Sequence, residues 1–325
     1  MRAVVCRKLG SVEALAVEEM PDPEPGVGEV VVEIDAAGVT YVDALIVSGR
    51  YQFPLPTPFV PGGEIAGRIR ALGTGVAGLA VGDMVVAQCW SGGFAAALVL
   101  PATAVTPLPA GVAAAVGATI LQSYSTAVYA LTVRSPVVAG ETVLVLGAGG
   151  GVGLAAVDVA RTLGARVIAA ASSADKREAA RSAGASETID TLTEDVKTRA
   201  RALSGGGVDI VVDPVGGDLA EPALRALRFG GRYLVVGFAG GAIPHIPLNL
   251  VLLNSRTVLG VELGGVLPRD PATGARITQE VLDGVCTGRF HPVNPVVLPL
   301  DRAGDALGSL LGRRVTGKLA LDPAR

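Results

Sequence analysis

Two patterns of apolar and polar positions divide the chain. Over about the first third, short apolar runs alternate with polar residues and are cut by glycine and proline, as at 29–34 (EVVVEI), within 60–71 after Gly62 and Gly63, and at 82–87 (GDMVVA). A period of two bounded by turn residues predicts β-strands. From about Gln122 the pattern changes. Apolar strands are predicted at 142–146, 166–170, 187–189, 209–212, 232–236 and 257–261, separated by helical patterns at 152–163, 175–183, 196–203 and 219–228. Six strands alternating with helices imply right-handed βαβ units and a doubly wound parallel sheet of the Rossmann kind. The last part returns to a helix at 276–286, a proline-rich run, a helix at 301–311 and a strand at 317–321. The fold class expected is therefore α/β.

The most informative segment is TVLVLGAGGGVGLAAVDVARTLG, 142–164. Val143, Leu144, Val145 and Leu146 read as a strand buried on both faces. Gly147, Ala148, Gly149, Gly150, Gly151, Val152 and Gly153 then form a glycine-packed turn, and Leu154, Val157 and Ala160 follow at helical spacing. Such a turn between strand and helix lets backbone N–H groups approach a pyrophosphate at the helix N-terminus. The nearest fingerprint frame is Ala148, Gly150, Gly153, with alanine in the first place, so a tight turn without a ligand is the competing reading.

About twenty residues on, a fold selective for the unphosphorylated cofactor usually places a carboxylate on the ribose hydroxyls. Here the second strand runs into Ser172 and Ser173, followed by Lys176 and Arg177. Hydroxyls and cations suit a 2′-phosphate, which favours NADPH over NADH, although Asp175 lies in the same loop. Ser173 is also a plausible N-cap for the next helix.

Composition sets the boundaries. The 325 residues are enough for two domains, and only 18% are charged, with a formal net charge of −3. No Lys/Arg block suggests a nucleic-acid partner or an anionic membrane surface. Cys6, Cys89 and Cys286 are scattered with no CxxC pair, which points to reduced thiols and a cytoplasmic location. No signal-like apolar run follows the N-terminus. Between Asp83 and Arg134 the chain carries no charge, but Pro101, Pro107, Pro109 and repeated glycines divide it below membrane-span length. His245 and His291, the only histidines, each lie beside proline and read as surface or turn residues.

Four stretches together resemble one family. They are AAGVTYVDALIVSGRYQFPLPTPFVPGGEIAGRI (36–69), the turn GAGGGVG, VDIVVDPVGGDLAEPALRALRFGGRYLVVGFAGG (208–241) and VTGKLAL near the end. In this order they resemble the zinc-independent quinone oxidoreductase branch, the zeta-crystallin-like branch, of the medium-chain dehydrogenase/reductases. The resemblance implies a GroES-like β-barrel catalytic domain from 1–122 and 264–325, an NADPH-binding Rossmann domain at 123–263, and a homodimer formed along the 257–261 strand. It also places the active site in the cleft between domains.

The zinc alcohol dehydrogenases of this superfamily hold their catalytic metal with Cys, His and Cys. The matching positions here are Thr40, Gly63 in PGGE, and Gln122, and the four-cysteine structural lobe is missing. Neither thiolate nor imidazole is offered, so no metal is expected. Without a Lewis acid, the efficient chemistry is hydride delivery from NADPH to a quinone, enone or enal whose developing charge delocalises onto oxygen. The resemblance implies that Tyr51 donates to that oxyanion, with Thr40 in place of the family's usual Asn. Tyr41 ranks lower, because alternation along an extended segment sends it to the opposite face. Thr126 matches a threonine beside the nicotinamide, Gly237 and Phe238 follow the fifth strand near the carboxamide, and Lys318 matches a residue near the cofactor phosphate.

The chain also departs from the family. It has GVELGG after the sixth strand where an aromatic is common, and Asp190 and Thr191 where a tyrosine near the adenine ribose is common. Two other functions stay open: a 2-enoyl thioester reductase, for which Arg50, Arg68 and Arg70 form a basic cluster, and a non-catalytic NADPH-binding protein.

Overall fold

The computed structural model describes residues 1–325, the side chains of 266–268 excepted. The chain divides into two compact units, one made of Met1–Gln122 and Val293–Arg325, the other of Ser123–Pro292.

The first unit is built on a seven-stranded sheet whose spine is the strand Glu29–Val39. Its apolar residues alternate inward, with Val30, Val32 and Ile34 in the core and Glu33 and Asp35 outside it. It pairs antiparallel with Glu64–Leu72, Ala97–Pro101 and the C-terminal strand Leu319–Asp322. That last pairing explains why both ends of the chain share a unit. Leu319 and Leu321 complete a core begun by Val4 and Cys6. The proline-rich run before it supplies one further strand, Val296–Pro299, which lies parallel to Leu319–Asp322. The uncharged stretch folds into three strands, Met84–Gln88, Ala97–Pro101 and Val105–Pro107, and the helix Ala114–Val128. No described helix is long and apolar enough to cross a membrane.

The second unit carries six parallel strands, Thr142–Leu146, Arg166–Ala171, Glu187–Asp190, Val208–Asp213, Leu227–Val235 and Thr257–Gly260. Numbered in that order they lie 3-2-1-4-5-6, the Rossmann arrangement. The sheet is apolar because helices cover it: Leu144, Leu146, Ile168, Ile189 and Val211 are fully buried against residues such as Val196, Ala200 and Leu224. At the switch between the first and fourth strands, chain direction leaves a crevice at their carboxyl ends, where ligands of such sheets bind.

One boundary differs from the sequence expectation. The return to the first unit comes at Val293, not at 264. The helix Pro271–Cys286 and the turn after it belong to the second unit, where Tyr124 and Phe290 pack with ring centroids 5.5 Å apart. The backbone N–H of His291 donates to the buried Asp158 at 2.5 Å, and Asp158 also accepts from Tyr124 Oη at 2.9 Å and Arg161 at 2.8 Å. Periodicity marks that helix and its end at Cys286, misses its start by five residues, and says nothing about which core it covers.

Candidate functional site

The glycine turn joins Thr142–Leu146 to the helix Gly151–Thr162, whose N-cap is Gly150. A Cβ on Gly153 would lie 2.3 Å from the Gly147 carbonyl oxygen and 2.7 Å from Ala148 Cα, so only glycine lets this helix come so near the strand end. A Cβ on Gly150 would find its nearest protein atom at 3.5 Å, an ordinary contact. The protein leaves space over Gly150 and none over Gly153. These are the separate tasks of the second and third glycines of a dinucleotide fingerprint, one for close approach of a pyrophosphate and one for packing. Ala148 in the first position is fully buried, and its N–H is bonded to Ala170 O.

On the neighbouring strand end, Ser173 caps the helix Ala174–Ser182, accepting from Lys176 N at 3.3 Å. A Cβ on Gly149 would fall 2.4 Å from Lys176 Cβ, so the lysine stem lies directly on the turn. Arg177 instead pairs with Asp190 at 3.0 Å, which compensates the carboxylate that replaces the family tyrosine. Ser172 and Ser173 are both exposed and Lys176 half-buried. Gly237 N–H bonds to Asp213 O, and the ring of Phe238 closes over Gly216 but stays 40% exposed. Thr126 is half-buried in the helix Ala114–Val128, well past its first turn, so it is not a capping residue.

The first unit holds a second constellation. Thr40 is the N-cap of the helix Tyr41–Val47 in a reciprocal capping box with Asp43. Its hydroxyl donates to Asp43 Oδ2 at 2.7 Å, its N–H donates to the same atom at 2.8 Å, and its Oγ1 accepts from Asp43 N at 3.2 Å. The single hydroxyl proton is thus committed to a carboxylate, which corrects Thr40 as an oxyanion donor. Tyr41 is the first helical residue, so strand alternation does not decide where its ring goes.

Asp43 and Glu64 are 2% and 1% exposed. Burial pushes Asp43 up to about 6 against hydrogen bonds from Thr40, Gly63 and Gly62. It pushes Glu64 up to about 7, opposed by the charge of Lys318 and by the backbone N–H of Gln122, which donates to Oε1 at 2.9 Å. Among the described residues Glu64 Oε2 has no hydrogen-bond partner. Desolvation lowers Lys318, while Glu64 and Asp43 hold it up. Cys89, whose thiol donates to Gly62 O at 3.5 Å, is driven up to about 12, chiefly by burial and then by the two carboxylates, and stays a neutral thiol. Lys318 therefore serves this buried acidic pair. The same lysine is the one that the resemblance places near a cofactor phosphate.

Tyr51, half-buried in the loop after the first helix, lies with Phe53 and Trp90 in a triangle of rings. The basic cluster is largely neutralised: Arg70 faces Asp22 at 3.4 Å, Arg68 faces Asp35 at 3.7 Å, and Arg50 Nε donates to Ser48 Oγ at 3.0 Å.

Known proteins match both units. Residues 26–110 match the alcohol dehydrogenase GroES-like domain and 151–278 the zinc-binding dehydrogenase domain. Quinone oxidoreductase-like protein 2 of Rattus norvegicus is 34% identical over 98% of this chain and 91% of its own length. The chain belongs to the quinone oxidoreductase branch of the medium-chain dehydrogenase/reductases. The Nematostella vectensis homologue of the same protein is 37% identical over 69% of this chain, a match that spans 62% of that relative. Among solved structures, Escherichia coli quinone oxidoreductase complexed with NADPH superposes with a TM-score of 0.91 and 29% identity, covering 99% of this chain and 100% of that one. The first unit is thus the GroES-like domain and the second the Rossmann domain of this branch.

The matched domain description names zinc, and in this medium-chain reductase the donor set does not suit it. Thr40 is tied to Asp43, Gly63 has no side chain, and Gln122 offers only an amide. Among the described residues no group of three or more His, Cys, Asp or Glu side chains is placed to hold a metal ion. Sequence reasoning missed Asp43, Glu64, Phe53 and Trp90. The T-x-x-D spacing of Thr40 and Asp43 announces a capping box, but nothing local tells that Glu64 is buried.

Proposed function

We propose that this chain is an NADPH-dependent reductase that works without a metal ion and delivers hydride to a quinone or an α,β-unsaturated carbonyl. The observation that carries the reading is the first unit's donor set: at the three positions where zinc relatives bind metal, this chain has a committed hydroxyl, a glycine and an amide. Nothing there polarises an alcohol, so the favoured substrates are those whose own conjugation spreads the developing charge. NADPH, when bound, supplies the hydride. The open backbone around Gly150 and the helix N-terminus bind its pyrophosphate, and Ser172, Ser173 and Lys176 receive the 2′-phosphate. With the Thr40 proton committed, Tyr51, the residue to which the resemblance points, donates to the acceptor oxyanion, with Tyr41 the second candidate.

A thioester reductase is the less favoured reading, because Arg68 and Arg70 are each engaged by a carboxylate. Following NADPH oxidation with 1,4-benzoquinone, an enal and a crotonyl thioester side by side tests both. Turnover of the first two with little of the third is expected. A rate confined to the thioester overturns the proposal, and tight NADPH binding with no turnover would make the chain a binding protein.

Cofactor choice has its own test. Ser173→Asp keeps an N-cap of equal quality, so the fold survives while a carboxylate meets the 2′-phosphate. The KM for NADPH is expected to rise roughly tenfold to a hundredfold, with that for NADH moving far less, since like-charge juxtaposition costs several kcal/mol. Equal effects on the two cofactors would remove Ser173 from the phosphate site.

A further inference from the structure

Trp90 is the chain's single tryptophan, and it stands in a cluster no motif announced. The ring centroids of Tyr51, Phe53 and Trp90 are 6.0, 6.3 and 6.1 Å apart, at interplanar angles of 66°, 53° and 73°. These are edge-on and tilted contacts, in which the rings brace one another edge to face. Phe53 remains 56% exposed and Trp90 51% exposed, in a chain with only 4% aromatic residues. The cluster adjoins the constellation described above. Cys89, the residue before Trp90, donates its N–H to Gly63 O at 2.8 Å, and a Cβ on Gly63 would lie 3.1 Å from Cys89 O and 3.4 Å from Asp43 Oδ1.

We propose that Trp90, braced by Phe53 and Tyr51, is a specificity-determining residue whose half-exposed indole stacks on the planar conjugated ring of the acceptor. The inference rests on the reductase reading and narrows its substrate class to cyclic, electron-poor acceptors such as benzo- and naphthoquinones. Two features argue for this occupant over a flexible acyl chain. The exposed faces are electron-rich π surfaces, and an electron-deficient ring is their natural partner. Tyr51, the first-ranked candidate oxyanion donor, is a member of the same triangle, so a ring stacked here keeps its carbonyl oxygens near a phenol.

The single tryptophan makes binding directly visible. Titrating the NADPH-free protein with 1,4-naphthoquinone is expected to quench tryptophan emission to a saturating limit, unlike the linear collisional quenching of the urea-unfolded chain. In steady state with NADPH, Trp90→Ala should lower kcat/KM for the quinone roughly fivefold to tenfold more than for an aliphatic enal, through KM, with Trp90→Phe recovering most of it. Linear quenching in the folded protein, or an equal loss for both acceptors, overturns the assignment. So does a change of oligomeric state in Trp90→Ala without a change in the acceptor ratio, which would make the patch a contact between copies. If the wild-type chain reduces neither acceptor, the reductase reading fails, and the quenching curve still decides whether Trp90 receives the ring.

Discussion

Alanine at Gly153 is expected to destabilise the second unit, while alanine at Gly150, three residues earlier, leaves it standing and weakens NADPH binding. Both changes add one methyl group. At Gly153 it would enter within 2.3 Å of the Gly147 carbonyl, so the helix Gly151–Thr162 must move off the strand end. Alanine favours a helix over glycine by about 1 kcal/mol, and overpacking of about 3 kcal/mol outweighs this, leaving a net loss of about 2 kcal/mol. In a unit of this size that lowers Tm by roughly 4–8 °C. At Gly150 the methyl meets nothing nearer than 3.5 Å and the backbone is extended, with φ −92° and ψ 172°, so Tm should hold. The space it fills is the approach to the helix N-terminus, and affinity for NADPH should fall tenfold or more, about 1.4 kcal/mol or above. Thermal melts and a cofactor titration on the two variants check this. A Gly153→Ala protein that melts like wild type would show that the turn is looser than its geometry, and unaltered binding in Gly150→Ala would move the pyrophosphate elsewhere.

The second large effect concerns Lys318, the positive partner of two buried carboxylates. Lys318→Met is expected to destabilise the first unit by roughly 3 kcal/mol at pH 8 and by much less at pH 5. The sign follows from the shifts. Glu64 holds its proton up to about 7 in the folded chain against 4.5 in the unfolded, and Asp43 up to about 6 against 3.8. Raised carboxylates bind more protons folded than unfolded, so these two groups lower wild-type stability as pH rises between about 4 and about 7, while the lowered Lys318 acts in the opposite sense at higher pH. At pH 8 both acids are charged in a dry site, and removing the ammonium leaves them uncompensated. At pH 5 Glu64 is neutral and needs no counter-charge. Adding Glu64→Gln to Lys318→Met should therefore restore most of the loss at pH 8. A pH-independent effect, or no rescue, would place Lys318 outside this pair.

The same cluster shows how a buried acidic pair is held. In Asp43 the charge is met by Thr40 and by the N–H groups of Gly62 and Gly63; in Glu64 it is met by Gln122 N–H and Lys318, with Oε2 unbonded among the described residues.

Much of the second unit is readable along the chain. Parallel strands buried on both faces are continuous apolar runs, and the helices between them keep a 3.6-residue stripe, so the six strands and the four helices before residue 228 are visible. The fifth strand, however, starts at Leu227, five residues before its expected start and within the span expected to be helix. The strand Thr142–Leu146 and the helix Val196–Leu203 match their expected bounds. The glycine turn is equally legible, since close approach requires a missing side chain and leaves that absence in the sequence. Thr40, Gly63 and Gln122 speak by what they lack.

What tertiary structure alone decided are the matters that depend on residues far apart in the chain. Pairing of Leu319–Asp322 with Glu29–Val39 carries Lys318 to Glu64, across a separation no local pattern encodes. The helix Pro271–Cys286 joined the second core because Phe290 and His291 meet Tyr124 and Asp158, contacts that an amphipathic stripe leaves unspecified. The hydroxyl of Thr40 turned to its own helix cap, and Trp90 came to stand beside Tyr51, because hydrogen-bond direction and ring placement are set in three dimensions. Periodicity and missing side chains are one-dimensional signals and determined the fold and the cofactor turn; proton ownership and charge pairing depend on distance, and only the folded chain supplies it.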